Sequence, residues 1–192
     1  MLPIISTLAE HSRVTTDSEA LDAYIAGAAA GDSSAFAELY ERTGASVYSY
    51  SLSVLKNVHD AEDVLHDCFV NIYYAAAGYR THGKPLAWIL TIAKNLCFQK
   101  LRERKRGLEL PDEDWAELLS SVDGIPEEDR LLIREGLAML SDDERQIVIL
   151  HAVSGFKHRE IASFMSKPLA TVLSKYRRAL AKLKEFYLKG EL

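Results

Sequence analysis

From Glu19 to Tyr187 the apolar residues recur three and four positions apart, and no stretch shows the alternation and turn punctuation of strands. That periodicity commits the chain to helices packed on helices, an all-α fold class. The one long interruption is residues 107–126, where Gly107, Pro111, Gly124 and Pro126 punctuate an acidic run. In 192 residues this leaves room for two small helical domains and a tether. The expected organisation is an N-terminal extension over 1–19, a first domain over 20–106, an acidic linker over 107–126 and a second domain over 127–192.

Local signals set the expected elements. Glu19–Ala30 and Ser33–Arg42 read as helices broken at Gly31-Asp32, with Asp32 as an N-cap. A third helix is expected from Ala45 to Lys56. Asp60 is expected to cap a long helix ending near Ala77-Gly78, and Pro85 sits in the first turn of a helix reaching Arg106. The linker is expected to hold a short helical turn around Trp115. Pro126 opens a helix to about Met139. Ser141-Asp142-Asp143-Glu144 is a capping box for a helix through Val153, and Lys157–Met165 and Leu169–Tyr187 complete the series.

Composition excludes several classes. The longest apolar run, Ala23 to Gly31, is too short to cross a bilayer, so no membrane insertion is expected. Met1-Leu2-Pro3-Ile4-Ile5 lacks the features of a secretory signal. Cys68 and Cys97 have no CxxC partners, which favours a reduced, cytoplasmic protein. His66 and Cys68 are too few to hold zinc, and His11, His59, His82, His151 and His158 add no HExxH pair. Without a glycine-rich phosphate loop or nucleophile elbow either, an enzyme is the least favoured class, and no cofactor or metal is expected.

The net charge of −5 conceals a strong pattern. Residues 94–106 carry 6 bases and 1 acid, residues 107–128 carry 8 acids and no base, and Ser154–Lys189 carries 9 bases and 2 acids. Local fields decide what a surface attracts, so two cationic blocks mark nucleic-acid contact. The acidic run between them is expected to fold back over both when the protein is alone.

In the second block, a short helix, the turn Ser166-Lys167-Pro168 and a longer helix have the spacing of a helix-turn-helix. Ile161, Ala162 and Met165 form the inner face of the first helix. Leu169, Val172, Leu173, Tyr176, Leu180 and Leu183 form one stripe of the second, with Thr171, Lys175, Arg178 and Lys182 opposite and Ser174 beside them. Such a cationic face suits a major groove. A solvated amphipathic helix is the ordinary alternative, but it does not need so large an excess of base. In the first block, Ile89, Ile92, Ala93 and Leu96 form the inner face of the helix from Pro85. Thr91, Lys94, Asn95, Phe98, Arg102 and Lys105 lie opposite, with Trp88 at the border. Cations interleaved with flat rings suit unstacked single-stranded DNA. The loop Tyr79-Arg80-Thr81-His82-Gly83-Lys84 adds another ring and more charge.

These elements together resemble the sigma-70 family, and within it the small two-domain ECF (extracytoplasmic function) group of bacterial sigma factors. The matching residues run in order over about residues 20–187. In the first domain they are Phe36-Ala37-Glu38-Leu39-Tyr40, Asp60-Ala61-Glu62-Asp63-Val64 with Phe69, Trp88 through Asn95, and Leu101-Arg102. In the second they are Gly155, Glu160-Ile161-Ala162, Pro168, Thr171-Val172, Ser174 and Arg177-Arg178-Ala179.

The resemblance implies a sigma factor that binds core RNA polymerase and directs promoter recognition, −10 melting and initiation. Region 2, over 20–106, would capture the −10 element through Tyr79, Arg80, Lys84, Trp88, Thr91, Lys94, Asn95, Phe98 and Arg102. Its acids Asp60, Glu62, Asp63 and Asp67 would dock on the β′ clamp helices. Region 4, over 127–192, would read the −35 element through Lys157, Arg159, Thr171, Ser174, Lys175, Arg177 and Arg178, against the β flap. An anti-sigma factor is an implied partner beside promoter DNA. The rival reading is a helix-turn-helix regulator that is not a polymerase subunit. The chain departs from the family pattern at Ser166 and Ala170, where glycine is usual, and at Lys167, where an apolar residue is usual. Leu173 replaces a common base, Lys175 the usual arginine and Gln99 an acid.

Overall fold

The computed structural model describes residues 18–81, 83–106 and 127–190, which form two compact units. The expected linker with its turn at Trp115, the residues before Ser18 and His82 lie outside the described residues. All regular structure among the described residues is helical, as the periodicity requires.

The first unit holds α1 (Ser18–Ala29), α2 (Ser33–Leu55), α3 (Val58–Ala75) and α4 (Pro85–Arg106), with a 3₁₀ turn at Ala76–Gly78. Its centre is α2, which packs against α1, α3 and α4. Leu39, Val47 and Leu52 of α2 are wholly buried with Ile72 of α3 and Ile89 and Leu90 of α4. Each contributes about 1.5–3 kcal/mol relative to an exposed side chain. Gly27 allows the close crossing of α1 and α2, because a Cβ there would lie 2.5 Å from Ala35 Cβ. At the corner, Asp32 Oδ1 accepts from the backbone N–H groups of Ser34 (2.8 Å) and Ala35 (3.2 Å), the N-cap expected from the sequence.

Two expectations need correction here. The helices expected at Ser33–Arg42 and Ala45–Lys56 are one continuous helix, α2. Thr43 and Gly44 are buried within it, and the Thr43 hydroxyl donates to Leu39 O at 2.7 Å. Glycine within a helix costs about 1 kcal/mol, which burial of the flanking residues outweighs. The cap of α3 is Asn57 rather than Asp60: the Asn57 side chain accepts from Asp60 N at 2.9 Å, and Lys56 makes the preceding turn with a φ of 55°. Asp60 is thereby left for another role.

The second unit holds α5 (Glu127–Ala138), α6 (Asp142–Ala152), α7 (His158–Phe164) and α8 (Leu169–Gly190). Here α8 is the centre, packed against α5, α6 and α7 around Ile133, Leu137, Ile147, Leu150, Ile161, Val172, Ala179 and Leu183. The buried Arg145 closes the turn between α5 and α6. Its Nε donates to Leu137 O and its Nη2 to Leu140 O, both at 2.9 Å, and its Nη1 reaches Asp142 Oδ1 at 3.1 Å. All three guanidinium nitrogens of the buried charge thus donate a hydrogen bond, the condition under which burial is tolerated. The Ser141 box is present, with Glu144 Oε2 accepting from Ser141 N at 3.0 Å.

The helix-turn-helix turn ends α7 in a Schellman arrangement. Ser166 N donates to Ser163 O (3.2 Å) and Lys167 N donates to Ala162 O (2.9 Å). Ser166 consequently adopts a φ of 53°, the conformation that glycine serves without a Cβ clash. Relief of about 1–2 kcal/mol, less the 0.5–1 kcal/mol lost to the freer unfolded chain, sets the balance for Ser166→Gly. The substitution is expected to stabilise this unit by about 0.5–1 kcal/mol. Denaturant unfolding of the full chain followed by circular dichroism tests this, and a lower midpoint would contradict it.

Candidate nucleic-acid interface

On α4 the buried stripe is Leu86, Ile89, Leu90, Ala93 and Cys97. Ile92 and Leu96, expected in that stripe, are only half-buried, so the helix is turned slightly from the sequence-based orientation. The outward ridge keeps Thr91, Asn95, Phe98, Arg102 and Lys105 exposed. Phe98 is 45% exposed, and the Lys94 ammonium lies 5.9 Å from its ring centre. Partial burial pulls the Lys94 ammonium below its usual range. A flat exposed ring beside cations on a helix has the chemistry that unstacked bases and their phosphates call for.

The loop before α4 is anchored from behind. The Tyr79 ring packs on Trp88 at 4.7 Å between centres, and its hydroxyl donates to Asp22 Oδ1 at 2.6 Å. Burial and that carboxylate push the Tyr79 hydroxyl well above its ordinary value, so it stays a donor. Tyr79 and Trp88 are half-buried, while Arg80 and Lys84 are exposed. The pair therefore ties the loop to α1 and α4, and the outward surface of the loop carries charge.

The acids of α3 divide into two sets. Asp60 faces α4, where it accepts from Lys100 Nζ at 3.2 Å and pairs with the Arg104 guanidinium. Arg104 Nη1 also donates to Leu55 O at 3.0 Å, which joins α2, α3 and α4 at one point. Asp63 meets Lys100 at 2.8 Å. Desolvation works against the Lys100 charge, but the carboxylates of Asp63 and Asp60 prevail and raise its pKa. Glu62 and Asp67 are exposed. The resemblance implies docking through all four acids; in the structure Asp60 and Asp63 pair with cations of α4, and Glu62 and Asp67 stand exposed.

Beside those exposed acids lies a feature that sequence reading did not assemble. The start of α2 and the outer face of α3 form a groove of about 590 Å³, lined by Phe36, Tyr40, Phe69, Val70, Tyr73 and Tyr74 among others. The rings meet edge to face, Phe36 with Phe69 at 6.0 Å and with Tyr73 at 5.8 Å. Tyr74 is 76% exposed and Tyr73 52%. Exposed aromatic clusters of this kind mark binding surfaces. The available signal was a second apolar stripe on α3, at Phe69, Val70, Tyr73 and Tyr74, beside the core stripe of Val64, Cys68 and Ile72.

On α8 the buried line is Val172, Ala179 and Leu183, and Ala170, Ser174, Arg177, Arg178 and Lys184 are exposed. Thr171 is half-buried, and Lys157 and Arg159 of the preceding segment are exposed. Lys175 and Lys182, expected on the face opposite the core, lie instead on the edge beside α6. Lys175 pairs with Asp143 at 3.0 Å and Lys182 with Glu144 at 2.7 Å. Lys167 of the turn also reaches Asp143 at 3.0 Å. Burial opposes the Glu144 charge, but Lys182 and the two donors of Ser141 bring its carboxyl down to about 2.

Comparison with known proteins bears on the family of the two units. The family described as Sigma-70 region 2 matches residues 39–107, and Sigma-70, region 4 matches residues 130–183. An ECF RNA polymerase sigma factor SigK of Mycobacterium ulcerans (strain Agy99) is 29% identical over 174 residues, covering 87% of this chain and 93% of the relative. A SigK of Mycobacterium sp. (strain KMS) is 29% identical over 180 residues, covering 89% and 91%. In fold, the chain is similar to CnrH, solved in complex with the cytosolic domain of CnrY, with a TM-score of 0.59 and 24% identity over 90% of this chain and 99% of that one. It is also similar to the sigma factor RpoE, solved with the anti-sigma factor NepR from Bartonella quintana, with a TM-score of 0.59 and 20% identity over 79% and 96%.

The chain belongs to the sigma-70 family, in its ECF group. It is a sigma factor that binds core RNA polymerase and directs it to promoters. The region 2 match removes the ground for a regulator that is not a polymerase subunit. Sigma factors are generally non-enzymatic initiation factors. No described helix is long and apolar enough to cross a membrane.

The region 4 unit also contains a stacked pair of histidines. His151 and His158 lie 4.5 Å apart between ring centres, and Tyr176 of α8 is 4.6 Å from His158. His151 Nδ1 is 2.8 Å from Phe156 O, and His158 Nε2 is buried with no hydrogen-bond partner among the described residues. Burial first, and then His151, hold the His158 pKa below 6.5. The unfolded chain therefore binds the proton more readily than the folded one, so this contribution is complete above pH 6.5 and is lost as pH falls below it. The Glu144 contribution is lost only below about 4.5, so the two windows separate. Thermal melts of the full chain are expected to shift downward from pH 7 to pH 5.5. His158→Phe, which keeps the ring contacts, should flatten that change.

Proposed function

We propose that the two units divide promoter recognition between them. The first unit, residues 20–106, captures the −10 element as melted single strand, and the second, residues 127–192, reads the −35 element as duplex. The observation that carries the reading is the exposed ridge of α4, where Phe98 stands among Lys94, Arg102, Thr91 and Asn95. A ring that is nearly half exposed on a helix has no packing task on its outer face, whereas an unstacked base has a flat surface to offer it. Arg80 and Lys84 supply charge for the adjacent backbone, and Tyr79 and Trp88 hold their loop in place. On the second unit, Lys157, Arg159, Thr171, Ser174, Arg177 and Arg178 form the surface presented to duplex, with Lys175 at its edge.

Core polymerase is assigned to the face of α3 that carries Glu62, Asp67 and the aromatic groove. An apolar centre with an acidic rim suits a helical partner of basic character, the anatomy of protein interfaces generally. The β′ clamp helices are the proposed partner there and the β flap that of the second unit. Residues 107–126 serve as the linker. RpoE was solved with the anti-sigma factor NepR, and an anti-sigma factor is the partner proposed to hold this chain inactive in the cytoplasm. The chain itself performs no catalysis in this scheme.

Open-complex formation is the test. Phe98→Ala and Asn95→Ala, assembled with core polymerase on a promoter mapped by start-site sequencing, should still bind the enzyme but lose permanganate-reactive thymines. Loss of one base stack is worth about 1–3 kcal/mol, a reduction of roughly tenfold or more for Phe98→Ala. Unchanged reactivity in both variants would remove the α4 ridge from the −10 site. Tyr73→Ala should instead weaken capture of core polymerase while leaving the chain folded, and equal capture would remove the groove from the docking face.

A further inference from the structure

The first turn of α6 carries Asp142, Asp143 and Glu144, and two of these acids reach the cations of the helix-turn-helix. Asp143 Oδ2 lies 3.0 Å from Lys167 Nζ and 3.0 Å from Lys175 Nζ, so one carboxylate oxygen serves two ammonium groups. Lys167 belongs to the turn and Lys175 to α8, so the contact spans both halves of the motif. Lys182 is held one α6 position further on, by the buried Glu144. Three lysines of the cationic block are thus turned toward α6, while Arg177, Arg178 and Lys184 remain on the exposed face of α8.

The two kinds of cation do different work on DNA. Arginine forms a fork that matches a guanine edge or a phosphate, whereas lysine acts as a point charge that any phosphate satisfies. Lysines available to phosphate add affinity for every sequence alike. A carboxylate that holds two of them removes part of that uniform term and leaves the side chains that read base edges in place.

We propose that Asp143 is a specificity-determining residue: by holding Lys167 and Lys175 beside α6, it keeps them from DNA phosphates and lowers binding to random sequence relative to promoter sequence. This rests on the reading of the second unit as the duplex-binding one. Asp143 acts through the two lysines and is a positioning residue rather than a contact.

The experiment uses the full chain and a labelled random-sequence duplex, titrated over a series of salt concentrations. Asp143→Asn removes the charge and keeps the shape, and Asp143→Ser is the second variant should asparagine disturb the first turn of α6. Asp143→Glu keeps the charge. The expected result is binding several-fold tighter for the neutral variants at low salt. Their log–log salt slope should be steeper by up to about two, since each added phosphate contact contributes close to one. Adding Lys167→Gln to Asp143→Asn should remove part of the gain, and Asp143→Glu should resemble the parent. Holoenzyme carrying Asp143→Asn should also initiate at more sites on genomic DNA. If the parent binds random duplex and the neutral variants bind it equally or more weakly, the assignment to Asp143 fails alone. If neither parent nor variants bind duplex at any salt, it fails together with the duplex-binding reading.

Discussion

Each unit is organised around one long helix whose apolar side chains are buried only by the helices packed against it. In the first unit that helix is α2, where Leu39, Val47, Leu52 and Leu55 are almost wholly buried against α1, α3 and α4. In the second it is α8, which lays the line of Val172, Ala179 and Leu183 against α5, α6 and α7 and leaves its other face exposed. In the first unit the enclosing helices keep outward faces that carry the α4 ridge and part of the groove, whereas in the second α8 itself keeps an exposed face with Arg177 and Arg178. The ridge of α4 and the groove of α2 and α3 exist because α2 holds their carriers in place. Burial of apolar area supplies most of the stabilisation, and the ion pairs are secondary to it.

The ion pairs instead decide which charges face outward. Lys100 and Arg104 turn inward toward Asp60, while Arg102 and Lys105 of the same helix stay on the ridge. Lys175 and Lys182 turn toward α6, while Arg177 and Arg178 do not. A cationic helix therefore presents only part of its charge to a partner. Whatever these part-buried pairs contribute to folding, they change the pattern of charge that DNA or polymerase meets.

The departures from the family pattern take on physical meaning in the same way. Ser166 stands in a left-handed position that glycine serves better, so the turn survives the exchange with some strain rather than by a different geometry. Lys167, in place of an apolar residue, reaches Asp143 across the motif. The conformational cost at one position and the new charge contact at the next are adjacent consequences of altering the same turn.

Helical content, the two units and the location of both cationic blocks were legible in the amino-acid sequence, because amphipathic spacing, caps such as Asp32 and Ser141, and breakers such as Gly31 and Pro85 act over a few residues. Thr43-Gly44 read as a break for the same local reason, and only burial of both residues within the first unit carries α2 through them. Periodicity locates a helix face only to within part of a turn. Whether Ile92 or Cys97 was buried, and whether Lys175 faced solvent or α6, lay beyond its reach. Those choices belong to the tertiary structure, since an edge residue is settled by what a neighbouring helix places beside it. Asp143 stands far from Lys175 in the chain and meets it only because α6 packs on α8. The aromatic groove arises likewise, from two helices that each carry half of it.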